Sequence, residues 1–224
     1  MKFVVQAVRA ALRAGGTASL LQLDLQGAFD HVHHRALLST LQGMGLPGWF
    51  LSWLRTFLPG REAALLIDRV ITPAVSVPAG VSQGYPLSPV LFLLFIAPLY
   101  DRLRPLRGQL TIGFADDTNI LAFHRHRPGC VCILEEAYRI AAQWAAERGA
   151  AFEPAKSELI HFKRRGSSDT NPIQLGPHCL ALQVSAHFLG IWLDRRLSFA
   201  AHIYAVRGKL ETQMHALTRL AAST

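Results

Sequence analysis

Two short acidic stretches hold the residue types from which chemistry can be built. Asp24 closes the apolar run Leu20-Leu21-Gln22-Leu23 and is followed by Leu25-Gln26-Gly27-Ala28-Phe29-Asp30. Asp116 and Asp117 stand side by side between two apolar segments, 110–114 and 118–122. Adjacent carboxylates repel one another, and at the edge of an apolar core they are costly unless a cation neutralises them. Carboxylates on neighbouring strands can share Mg²⁺, a hard ion that prefers oxygen ligands and leaves positions open for phosphate. Two such ions would activate an attacking oxygen and stabilise a departing pyrophosphate. An Asp-Asp pair alone is also an ordinary polar turn, so the elements around it decide.

Alternation at Leu21, Leu23 and Leu25 predicts a strand over 17–25 that delivers Asp24 at its end. Helical spacing follows at Leu37, Leu38 and Leu41, closed by Gly43. Pro47 opens a second helix with Phe50, Leu51, Leu54 and Leu58 on one side, and Pro59-Gly60 stops it. Two strands are expected over 62–67 and 74–77, joined across Asp68 and Arg69. Next come a Gly/Pro/Ser-rich loop over 80–89, an apolar helix over 89–103 and a hairpin over 109–122 with Asp116-Asp117 at its tip. Leu134, Ala137, Tyr138, Ala141 and Trp144 predict a helix over 130–148. Short strand-like pieces lie near 158–162, 173–175 and 186–193, with a linker-like stretch at 163–171. Phe199, Ile203, Val206, Leu210, Met214 and Leu217 mark a final amphipathic helix. Strands and helices mingle without βαβ alternation, which predicts one α+β domain.

Of the 224 residues 50% are hydrophobic and 17% charged, which excludes a wholly disordered chain. Lys and Arg number 23 against 15 Asp and Glu, and the net charge of +8 favours an anionic partner such as nucleic acid. Three cysteines form no secreted disulfide framework and point to a reducing, intracellular setting. The apolar N-terminal run breaks at Gln6, too early for a signal peptide. The longest apolar run, 90–99, falls short of the ~20 residues that span a bilayer, so no membrane partner is expected. His124 and His126 with Cys130 and Cys132 have only one residue within each pair, which is poor zinc spacing. His31, His33 and His34 read as a solvated turn. Arg102, Arg104 and Arg107, then Arg125 and Arg127, and Lys163-Arg164-Arg165 suit backbone phosphates. Aromatic residues are not interleaved with them, so no single-strand stacking platform is indicated.

Taken in order, the motifs resemble the reverse transcriptase palm of non-LTR (LINE-type) retrotransposons over about residues 17–194. Asp24-Leu-Gln-Gly-Ala-Phe29-Asp30 is similar to that family's first palm motif. Gly80-Val-Ser-Gln83-Gly84-Tyr85-Pro-Leu-Ser88-Pro89 resembles its Gly-x-x-Gln-Gly-x-x-Leu-Ser-Pro loop, and Phe114-Ala-Asp116-Asp117 its aromatic-x-Asp-Asp box. Phe152-Glu153-Pro154-Ala-Lys156 resembles the lysine-bearing motif, and Phe188-Leu189-Gly190-Ile-Trp-Leu-Asp194 the Leu-Gly hairpin behind the primer. Residues 49–61, ending Phe-Leu-Pro-Gly-Arg61, have the family's look as well.

The resemblance implies an α+β polymerase palm, an antiparallel sheet packed on helices. It implies RNA-templated DNA synthesis from deoxynucleoside triphosphates (dNTPs) onto a DNA primer along an RNA template. Asp24, Asp116 and Asp117, with the Leu25 carbonyl, would hold two Mg²⁺ ions, Mn²⁺ being a possible substitute. Phe29 would be a steric gate against a ribose 2′-hydroxyl, Gln83 and Gly84 would lie at the template–nucleotide pair, and Leu189 and Gly190 at the template–primer. Lys156 would protonate the leaving pyrophosphate. Tyr85 stands where relatives more often have a small residue. Only 23 residues precede Asp24, whereas the family's fingers lie upstream. The expectation is therefore a palm-centred fragment: 1–16 a remnant of the fingers region, 17–194 the palm, 195–224 a helix that could begin a thumb. A nuclear location follows from the resemblance only. Two other readings stay open: a catalytically silent fragment that at most binds nucleic acid, and another two-metal palm enzyme such as a nucleotide cyclase.

Overall fold

The computed structural model describes residues 2–77, 79–82, 84–162 and 172–222. Gln83 and the basic run Lys163-Arg164-Arg165 lie outside the described residues. The centre is a four-stranded antiparallel sheet of β1 (Thr17–Leu23), β6 (Gln109–Phe114), β7 (Asp117–His124) and β8 (Glu158–Phe162). Its spatial order is β6-β7-β1-β8. Side chains alternate across a strand, so the apolar residues of β1 and β7 divide between two faces. Leu21, Leu23, Ile120, Ala122 and Leu159 join one core, with Phe92, Phe95, Leu134 and Trp144. That core draws on α2 (His34–Gly43), α4 (Ser88–Leu103) and α5 (Arg127–Glu147). Ala18, Leu20, Leu121, Ile160 and Phe162 face the other way, onto Val4, Val5 and Val8 of α1 (Lys2–Arg13). That second face is completed by Ala186, Phe188 and Leu193 of the hairpin β11 (Ser185–Phe188) and β12 (Ile191–Asp194).

Differences from the expected elements have local causes. The helix α1 is an addition, and its buried stripe Val4, Val5 and Val8 follows helical spacing. The region 62–77 splits into four two-residue strands, Glu62–Ala63 (β2) with Val75–Ser76 (β5) and Leu66–Ile67 (β3) with Val70–Ile71 (β4). Asp68 and Arg69 both take positive φ there, the demand of a tight primed hairpin turn. The helix between Pro47 and Pro59 is α3 (Gly48–Phe57), and a further small hairpin pairs β9 (Ile173–Leu175) with β10 (His178–Leu180). The last helix, α6 (Ala200–Ala222), leaves Ile203, Val206, Leu210 and Met214 exposed.

Helix α5 begins earlier than its apolar pattern, at Arg127, and that arginine is buried rather than facing phosphate. Its guanidinium donates to the Ala18 carbonyl at 2.7 Å, the Phe162 carbonyl at 2.6 Å and Ser19 Oγ at 3.2 Å. Arg127 thus braces the far ends of β1 and β8, which are register partners at Ala18 and Phe162. Cys130 packs in the core with its Sγ 3.2 Å from Thr17 Oγ1, while Cys132 is exposed. The described residues include no zinc-like cluster there.

Candidate active site

The acidic residues meet because the register of the sheet brings their strand ends together. Leu23 pairs with Thr118, so Asp24 and Asp117 follow at the same edge of the β1–β7 ladder. Phe114 pairs with Asp117, which leaves Ala115 and Asp116 as the two-residue turn of the β6–β7 hairpin, with Ala115 at φ +51. Beyond β1 the chain stays tied to the sheet side. Leu25 bridges Phe152, the Gln26 N–H donates to the Ala151 carbonyl at 2.9 Å, and the Glu153 N–H donates to the Asp24 carbonyl at 2.9 Å. The Leu25 carbonyl belongs to neither of those bonds, and its side chain is buried in the core.

Two hollows adjoin the carboxylates. One of about 190 Å³ is lined by Asp24, Asp117, Lys156, Glu158, His187 and Gln22. The second, about 360 Å³, is lined by Phe29, Gly84, Ser88, Pro89 and Asp116. The proposed gate Phe29 therefore shares a hollow with Gly84 and one of the acids, and its ring packs at a tilt of 30° against buried Phe92 with centroids 4.8 Å apart. Tyr85 does not line this space; it turns edge-on to Phe57 at 6.0 Å. Leu189 and Gly190 form the tight turn of the β11–β12 hairpin, both at positive φ (+47 and +81).

The electrostatics of the site are those of crowded acids. Burial pushes the Asp24 carboxyl above its ordinary range; Lys156 opposes that shift, and Glu153 and Asp116 add to it. Burial also raises Asp117, and repulsion from Asp116 and Asp24 adds to that rise, while His187 works against it. Lys156 Nζ sits 2.7 Å from Glu153 and 3.8 Å from Asp24, and the Glu153 contact raises its pKa and keeps it charged.

His187 and Gln22 have no prominence in the sequence. His187 enters the hollow from β11, its ring 5.0 Å from Trp192. Gln22 donates from Nε2 to Asn119 Oδ1 at 2.8 Å and to the His187 carbonyl at 3.1 Å, tying the hairpin to the sheet. A polar residue two places before Asp24, set between Leu21 and Leu23, is the signal that points to Gln22. Arg61 organises the second loop: its guanidinium donates to the Ala79 carbonyl at 2.7 Å, the Gly80 carbonyl at 2.6 Å and Ser82 Oγ at 2.8 Å. His34 Nε2 also reaches the Gly80 carbonyl at 2.8 Å, so it is a brace and not a solvated turn residue.

That loop lies directly on the segment after Asp24. The Gly80 N–H donates to the Val32 carbonyl at 2.9 Å and the Val81 N–H to the Phe29 carbonyl at 2.8 Å. A Cβ on Gly80 would sit 2.7 Å from the Asp30 carbonyl oxygen and 2.9 Å from the Phe29 carbonyl oxygen, with φ at +86. Glycine is therefore required by both space and dihedral angle. A similar limit holds on the hairpin, where the Tyr100 hydroxyl occupies the place a Gly113 side chain would need.

The folded arrangement, an antiparallel sheet on helices with three acids at one end, defines a polymerase-palm class. The sequence pattern described as "Reverse transcriptase (RNA-dependent DNA polymerase)" matches residues 2–193, and the chain belongs to that family. Among curated relatives, the "Probable RNA-directed DNA polymerase from transposon X-element" of Drosophila melanogaster is 29% identical over 215 residues, 94% of this chain and 23% of that protein. The "RNA-directed DNA polymerase from mobile element jockey" of the same organism is 27% identical over 204 residues, 89% of this chain and 22% of that protein. The chain thus spans about a quarter of the length of these relatives. Both are polymerases of mobile elements, in keeping with the non-LTR retrotransposon resemblance. Among solved structures, telomerase from Candida albicans in complex with a fragment of telomeric RNA superposes with a TM-score of 0.59 at 13% identity, over 86% of this chain and 32% of that one. Apo telomerase from Candida tropicalis truncated from its C-terminal domain gives 0.58 at 12% identity, over 87% and 38%. At that identity the likeness concerns the fold.

The Gly80 packing yields a direct prediction. Gly80→Ala should lower unfolding stability by roughly 2–4 kcal/mol, from left-handed backbone strain plus overpacking, read as a shifted urea midpoint. An unchanged midpoint would contradict the close approach of the two loops.

Proposed function

We propose that this chain performs RNA-templated DNA synthesis, transferring a deoxynucleotide from a dNTP to the 3′-hydroxyl of a DNA primer. The observation that carries the reading is the convergence of Asp24, Asp116 and Asp117 at one sheet end, with burial and mutual repulsion raising the Asp24 and Asp117 carboxyls. Among the described residues no three His, Cys, Asp or Glu side chains close around a single point. Mg²⁺ is commonly held by one or two carboxylates and completes its shell with water and substrate phosphate. Asp24, Asp116, Asp117 and the Leu25 carbonyl would hold two such ions, or Mn²⁺ in their place. Bound there, the ions would activate the primer hydroxyl and stabilise the pyrophosphate leaving group.

The chain's own residues supply positioning and selection. Phe29, fixed from behind by Phe92, presents its exposed side to the hollow it shares with Asp116 and Gly84. A rigid ring beside the sugar of an incoming nucleotide excludes a 2′-hydroxyl, a repulsive route to specificity. Gly84 lets the backbone approach the template–nucleotide pair, with Gln83 beside it in sequence. Lys156, charged at neutral pH, would exchange Glu153 for the departing pyrophosphate and donate its proton there. The Leu189–Gly190 turn, tied to the sheet through Gln22 and His187, would support the primer end.

Primer extension on an RNA template with Mg²⁺ and dNTPs tests the reading. Extension by the wild type and its loss in Asp116→Asn and Asp117→Asn is the expected result. Extension that survives both substitutions would overturn the site. Failure of every form would favour a silent fragment that binds nucleic acid. Phe29→Ala should raise ribonucleotide incorporation relative to deoxynucleotide by roughly tenfold or more. An unchanged ratio, which is insensitive to the fraction of folded protein, would remove the gate role.

A further inference from the structure

Two adjoining hollows lie where α5 ends beside α2, and no residue of the proposed nucleotidyl-transfer site lines either. They measure about 420 Å³ and about 390 Å³ and share Ala36, Ser39, Glu147 and Arg148. Thr40 lines the first, only 8% exposed, with a buried hydroxyl that has no hydrogen-bond partner. Arg148 lies 5.4 Å over the ring of fully buried Trp144. Arg148 Nε and Trp144 Nε1 are also buried without partners. Trp144 lines neither hollow, but an Arg nitrogen can only donate, so what Arg148 lacks at the hollow is an acceptor.

The charges define what kind of acceptor. Two carboxylates line the hollow, and both are engaged: Glu147 with Arg102 and Gln143, Asp101 with Arg104. Neither forms an ion pair with Arg148, whose pKa is lowered first by burial and next by repulsion from Arg102, against the pull of Glu147. Arg35 and His33 add basic groups to the lining of the second hollow. A water molecule would satisfy one or two donors but leave the cation uncompensated. A tetrahedral oxyanion offers oxygens to the guanidinium fork and to hydroxyls at the same time.

We propose that this hollow is a phosphate-group site, held by Arg148 and the hydroxyls of Thr40 and Ser39. The phosphate could be free or carried on a nucleic-acid strand; the chemistry recognised is the same. The site would give the protein a second anionic contact, separate from the acidic end of the sheet.

The test is titration of the folded chain with inorganic phosphate. It is followed by thermal melting and by the indole N–H resonance of Trp144, assigned through Trp144→Phe. Phosphate should raise the melting temperature of the wild type and move that resonance. Arg148→Gln and Thr40→Val should each weaken the response roughly tenfold or more, the scale of a lost charge-assisted hydrogen bond. In Lys156→Met the Trp144 resonance should move as in the wild type, which separates this site from phosphate bound at Lys156. Thr40→Val removes an unpartnered buried hydroxyl, so without phosphate it should melt no lower than the wild type. A short single-stranded RNA moving the same resonance would identify strand-borne phosphate, and a response to inorganic phosphate alone would identify the free ion. An unresponsive wild type, or variants that respond as it does, would overturn the proposal and leave a water-filled hollow.

Discussion

Partial burial of Asp24 and Asp117 beside a third acid, Asp116, at the end of an apolar sheet is the constraint around which this molecule is arranged. Asp24 and Asp117 emerge from neighbouring strands whose inner residues are buried, and Asp116 occupies the turn beside them. Acids so placed oppose folding in the absence of a cation, and the structure tolerates them because much around them is over-determined. Arg127 ties β1 to β8 at the opposite end, α1 and the β11–β12 hairpin cover one face, and the helices cover the other. The cost is confined to one rim, and that rim opens on both hollows where a nucleotide and a primer end would lie.

The second constraint is the contact between two loops. The segment after Asp24 and the loop beginning at Gly80 share hydrogen bonds, and Arg61 and His34 both hold the Gly80 carbonyl. Phe29 and Gly84 therefore line one hollow although they lie far apart in sequence. A side chain with a family look, Arg61, thus has a physical role in setting the shape of a loop. Tyr85 illustrates the same economy, since an outward turn onto Phe57 keeps a large residue out of the hollow.

Much of this is legible in the sequence, because strand alternation and turn residues are local signals. The strand before Asp24, the hairpin around Asp116-Asp117 and the helices α2 to α5 follow from spacing alone, and the motifs identify the class of site. What spacing does not convey is which polar residues turn inward. Arg127 reads as one of a basic cluster until its carbonyl partners, more than thirty positions away in Phe162 and further still in Ala18, are brought beside it. His187, Gln22 and Arg61 gain their roles in the same way, through partners distant in sequence. The weak alternation over 62–77 reads as two strands, because nothing local reports that a ribbon will break into two-residue ladders. Helix α1 does display its period, with Val4, Val5, Val8 and Leu12 set against Gln6, Arg9 and Arg13, and weighing the same run only as a leader candidate passes over it.

Divalent-cation stabilisation is the most direct test of the central claim. Asp24 and Asp117 have raised carboxyl pKa values in the folded chain, so their contribution to stability is greatest when both are protonated and is lost as pH rises through those values. At neutral pH they should destabilise the metal-free protein, by about 1 kcal/mol or less given their exposure. Melting of wild type and Asp117→Asn should therefore be compared at neutral pH with chelator and with millimolar Mg²⁺. The account predicts that Asp117→Asn melts no lower than the wild type in chelator and that Mg²⁺ raises the melting temperature of the wild type only. A variant that melts lower in chelator yet gains as much from Mg²⁺ would contradict it.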